Sequence, residues 1–78
     1  MNWVANSVEL NLAADAMWKW EQTGRTNRAL WEEAQKRVIS YCETHGMPGA
    51  VAGMIHDAIQ ITVRIAAGFP AKGTYTET

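Results

Sequence analysis

Few residues in this chain have the types and spacing that chemistry requires. Cys42 and His45 stand three apart, so a helix would put them on one face, and His56 and Asp57 follow eleven residues later. A thiolate beside an imidazole is a nucleophile with its base, and Cys, His and Asp together could ligate zinc. The pattern fits packing better. Cys42 sits in the middle of an apolar stripe, where a thiol behaves as a small apolar group. His45 falls at a helix end, where its charge suits the dipole. His56 falls on the polar side of its segment, away from Cys42. Glu32 and Glu33 are adjacent, hence about 100° apart around a helix, and cannot face each other as an acid and base pair. Arg25 and Arg28 could hold a phosphate or carboxylate near a helix start. No glycine-rich phosphate loop accompanies them, and a solvated turn is the plainer account. The expectation is therefore no catalytic residues, no metal and no cofactor, and a protein that is not an enzyme.

Three elements would carry these residues. Asn6 and Glu9 have capping-box spacing, and a first helix is expected over 6–22. Leu10, Ala13, Met17 and Trp20 form its inner stripe, Asn11, Asp15, Lys19 and Gln22 its outer one, and Asp15–Lys19 a favourable i,i+4 pair. Gly24 stops it. A polar link with Arg25 and Arg28 leads to a second helix over 27–45, with Thr26 or Asn27 able to cap it. Leu30, Trp31, Ala34, Val38, Tyr41, Cys42 and His45 form its apolar face. Glu32–Lys36 and Glu33–Arg37 are expected as ion pairs on the other, and Ile39 is an apolar residue on the polar side. Gly46 closes this helix.

The third segment, 48–67, is the most apolar run. Pro48 suits its first turn. Read as a helix, its core stripe is Val51, Met54, Ile55, Ala58, Thr62, Ile65 and Ala66. Ile59, Ile61 and Val63 widen that stripe past half the circumference, leaving His56, Asp57, Gln60 and Arg64 to solvent. Gly49 and Gly53 would allow another helix close approach. A rival reading exists: residues 59–65 alternate with period two and are rich in β-branched types. They could pair as a strand with residues 8–12 in an α+β fold. Helix is preferred, because the helical face runs through this stretch without a change of phase and no turn residue precedes it.

Composition bounds the rest. The chain has 78 residues, a formal charge of −1, one cysteine and four tryptophans. One domain of this size has a marginal core. A lone cysteine excludes an internal disulfide, so dense aromatic packing or self-association must supplement the core. The balanced charge offers no field to draw the chain to nucleic acid or to an anionic membrane. No signal peptide or membrane span is legible. The free cysteine suits a reducing compartment, and a cytoplasmic location is expected. The Met1 start and polar end fit a small complete protein.

The expected architecture is all-α: one three-helix domain over 1–68, with the third helix most buried, and a flexible tail over 69–78 of which only Phe69 would dock back on the core. The expected function is a non-catalytic binding module, an adaptor or an inhibitor that occludes a larger protein or complex. Phages and mobile elements use small proteins in this way against host defence or regulatory complexes. The expected contacts are Trp18, Arg25, Arg28, Ile39, Ile61 and Val63, because tryptophan and arginine concentrate interface energy and the apolar members exceed what the core needs. A homodimer would use the third helix. The alternative is a nucleic-acid- or nucleotide-binding dimer using Arg25, Arg28, Lys36, Arg37 and Arg64.

Overall fold

A computed structural model of the chain describes residues 7–68. Three helices follow one another: α1 (Val8–Gln22), α2 (Arg28–Thr44) and α3 (Gly49–Ala66). Among the described residues there is no strand. The proposed strands over 8–12 and 59–65 lie inside α1 and α3, so the α+β alternative falls. Trp3, Val4, Asn6 and the 69–78 tail lie outside the described residues.

Local chemistry sets each helix end. Ser7, rather than Asn6, caps α1, its Oγ accepting the Leu10 amide at 3.1 Å. Glu9, assigned to the capping box, instead meets Arg37 of α2 at 3.4 Å. Asn27 caps α2 by accepting the Ala29 amide at 3.2 Å. At the far end Gly46 adopts φ 65°, Gly46 N–H donates to Glu43 O, and Met47 N–H donates to Cys42 O at 2.8 Å. That double closure satisfies carbonyls the helix would leave open and needs a residue that tolerates left-handed backbone.

The contacts give the topology. Glu9 with Arg37 and Trp20 with Trp31 make α1 and α2 antiparallel. Trp31 meets His56, and the residues facing Val38 and Ile39 are Ala52 and Gly53, so α3 runs back along α2. The core is small. Leu10, Ala13, Ala14, Ala16 and Met17 come from α1, Ala34 and Val38 from α2, and Ile59 and Val63 from α3. Buried alanines bring α1 close to its neighbours and leave little volume for long side chains. The inner stripes expected for α1 and α2 hold, with Trp20, Leu30, Trp31 and Tyr41 half-buried and His45 exposed. Glu32 pairs with Arg28, not Lys36, at 3.1 Å.

α3 is turned over relative to expectation, and it is not the most buried helix. Met54 is 72% exposed and Ile65 61% exposed, and Ala58, Thr62 and Ala66 are exposed too. His56, Gln60 and Arg64, assigned to solvent, are buried, and only Asp57 of that group is exposed. More of α1 is buried than of α3, and three of the five buried residues of α3 are polar.

The cause is an acid the helical pattern hides. Glu21, in the last turn of α1, is buried with its side chain 3% exposed. Arg64 Nη1 donates to Glu21 Oε2 at 2.8 Å, with its own side chain 6% exposed. A carboxylate taken out of water must be paired. Rotating α3 to bury Met54 and Ile65 would withdraw Arg64 and strand the charge, a loss of about 3–5 kcal/mol. Burial of two more apolar side chains returns about 1.5–3 kcal/mol each at full burial. That return would be partly offset, since Ile59 and Val63 would leave the core.

Arg64→Ala should therefore destabilise the chain by about 3 kcal/mol in urea denaturation, while Glu21→Met combined with Arg64→Met should recover most of that loss. Equal loss in the double variant would mean the pair does not set the rotation of α3.

Candidate functional site

The link between α1 and α2 builds a second charged centre on the same carboxylate. Gly24 and Arg25 both take left-handed backbone, with φ 70° and 65°. For arginine this costs on the order of 1 kcal/mol and requires compensation. Four contacts supply it. Arg25 N–H donates to Trp20 O at 2.9 Å. Arg25 Nε and Nη2 donate to Glu21 Oε1 and Oε2 at 3.0 and 3.1 Å, a bidentate fork. The guanidinium carbon stands 5.2 Å from the Trp20 ring centroid, within cation–π range. Glu21 thus holds Arg25 from its own helix end and Arg64 from α3.

An aromatic corner lies beside this network. The rings of Trp20 and Trp31 are 4.6 Å apart between centroids and tilted by 44°. The buried His56 ring meets Trp31 edge-on at 4.5 Å. Arg25 and Arg28 join the two tryptophans around a cleft of about 200 Å³. Arg28 reaches outward, its side chain 85% exposed, and pairs with Glu32. On the other side of Trp31 a cleft of about 370 Å³ runs between α2 and α3, walled by Val38, Ile39, Ala52 and Gly53 with the polar Gln35, His56 and Asp57. A Cβ added to Gly53 would meet nothing within 4 Å, so that wall is open. Trp31 belongs to both clefts and joins them into one surface.

The sequence-derived contacts divide on this frame. Arg25 and Arg28 lie on the corner, and Ile39, 48% exposed, lines the larger cleft. Val63 is 0% exposed in the core, so it can touch no partner, and its assignment as a contact is corrected. The period-two run explains why: Ile59 and Val63 are four apart and turn inward together, whereas Ile61 and Ile65 turn away. Ile61 is half-buried and lines neither cleft. Trp18 is half-buried against the core of α1.

The five cations assigned to nucleic acid do not gather on one face. Arg64 is buried, and Arg25, Arg28 and Arg37 are each bridged to a carboxylate. Cys42 is buried, and His45 is exposed with its ring 4.3 Å from that of Tyr41. Among the described residues no three His, Cys, Asp or Glu side chains converge as metal ligands, and no helix is long and apolar enough to cross a membrane.

The sequence places Trp20 and Trp31 in inner stripes and His56 in solvent, and does not bring the three together at this corner. The first two had a legible signal. One tryptophan in the last turn of α1 and one in the first turn of α2, across a short link, must meet once the helices are antiparallel. His56 had none, because its burial depends on the rotation of α3. Comparison with known protein families, with curated proteins and with solved structures finds no match for this chain.

The two arginines of the link should separate in a denaturation experiment. Arg28→Ala, losing an exposed pair, should shift stability by under about 0.5 kcal/mol. Arg25→Ala, losing a fork onto a buried carboxylate, should cost about 1.5–3 kcal/mol. Equal effects would remove the distinction drawn here.

Proposed function

We propose that this chain is a small non-catalytic protein-binding module, working as an adaptor or as an inhibitor that occludes part of a larger protein or complex. One observation carries the reading: a half-buried tryptophan pair, rimmed by Arg25 and Arg28, opens onto the mixed apolar and polar α2–α3 cleft. Tryptophan and arginine are the residue types that dominate interface hot spots, provided they stand in desolvated pockets framed by quieter contacts. Trp31 has that setting. Its ring is fixed by Trp20 and His56, so little side-chain freedom is lost when a partner covers it.

The chemistry of the surface describes its partner. An apolar side chain fits the cleft between Ile39 and Gly53. A carboxylate at the other end of the surface, over the Trp20–Trp31 cleft, would meet Arg28, whose present bridge to Glu32 is exposed and weak. The surface thus suits a segment of another protein that puts an apolar anchor in the α2–α3 cleft and an acidic residue at the Arg28 end, away from the Asp57 that lines the cleft.

The test is capture of partners from host-cell extract by tagged protein, with variants. Arg28→Glu and Ile39→Asp should each lose at least tenfold of the partner recovered by the unaltered chain, with helicity by circular dichroism unchanged. Lys19→Glu, an exposed change on α1, should lose none. Identical recovery by all four proteins would place the contact surface elsewhere, and failure to enrich any partner over a tag-only control would remove the reading.

A further inference from the structure

The outer face of α3 belongs to neither cleft and is not explained by the Trp31 corner. Ala50, Met54, Ala58, Ile61, Thr62 and Ile65 follow one another along it, spanning about 23 Å at ~1.5 Å per residue. It carries no charge. Its one polar side chain is satisfied within the helix, Thr62 Oγ1 donating to Ala58 O at 3.0 Å. Nothing on this strip would lose a water partner if it were covered. Single exposed apolar residues are ordinary on a protein surface, but a continuous strip without charge marks an interaction face.

We propose that this strip is covered by the same strip of a second copy, in an antiparallel α3–α3 pair centred on Ala58. Three observations choose that occupant. The first is shape. The middle of the strip is slim, because the small, exposed Ala58 stands there and lets two helix axes approach. The C-terminal half is bulky, with Ile61 and Ile65. Reversing one copy against the other sets Ile65 opposite Val51 and Met54 opposite Thr62, while Ala58 meets Ala58 where the axes cross. A parallel pair would set Ile61 and Ile65 against their own copies. The second is charge. A face without ions meets its own copy without repulsion, and a two-fold interface demands such self-complementarity. Antiparallel helix dipoles add to this.

The third is the size of the core. Met17, Val38 and Val63 are the only large side chains wholly buried among the described residues, and the core also accommodates the Glu21–Arg64 pair. So small a core calls for a supplement, and a second copy is present wherever the first is. A specific interface begins near ~1,000 Å² counted over both partners. Approaching that from one helix needs the strip's whole length, which pairing about Ala58 engages. The pair would leave both Trp31 corners open, so this inference stands or falls independently of the partner reading.

The test is light scattering on the full chain over a concentration series, joined to cysteine cross-linking. The unaltered chain should show twice its 8.7 kDa mass. Met54→Glu and Ile65→Glu should each return to the single mass with unchanged helicity, while Ile39→Asp stays paired. Under oxidation Ala58→Cys should link to itself, and Met54→Cys mixed with Thr62→Cys should link to one another. A single mass at every concentration overturns the proposal. So does a pair that persists in both glutamate variants, or a failure of Ala58→Cys to cross-link. Met54→Cys linking efficiently to itself would overturn the antiparallel arrangement.

Discussion

Everything distinctive in this fold depends on one buried carboxylate. Glu21 ends α1 facing inward, and two guanidinium groups converge on it, Arg25 from the following turn and Arg64 from α3. A buried ion pair contributes little net stability against an apolar substitute, but removing one partner is costly. Its effect here is geometric. It ties the C-terminal ends of α1 and α3 together and so holds α3 in the rotation that turns Arg64 inward.

That selection has consequences on both sides of α3. Inward, Ile59 and Val63 meet the alanine-rich face of α1, and His56 is carried under Trp31. Outward, Met54, Ile61 and Ile65 are left on a strip without charge. A segment apolar nearly all round cannot hide every side when it packs against only two helices. Arg64 and His56, polar side chains that would usually mark the outward side of a helix, make specific contacts inside.

The same carboxylate shapes the surface around the link. Holding Arg25 in left-handed backbone places its guanidinium over Trp20, and Trp20 in turn supports Trp31. The corner is therefore rigid from below, while Arg28 remains free to move in solvent above its exposed pair with Glu32. Fixed aromatic rings with an adaptable charged rim are a physical basis for recognition without catalysis.

Much of this was legible in the residues themselves. Three helices, the cap at Asn27, the glycine stops and the inner stripes of α1 and α2 follow from local hydrogen bonding and from a 3.6-residue period with one clear polar side. The meeting of Trp20 and Trp31 could have been read from their positions on either side of a short link. The face of α3 could not. Its pattern allowed apolar residues on two opposite sides, and a helix of that kind does not determine its own rotation. The tertiary structure decided it, because Glu21 and Arg64, forty-three residues apart, had to meet out of water. It follows that Val63 became core, Met54 and Ile65 became surface, and His56 became part of the aromatic corner.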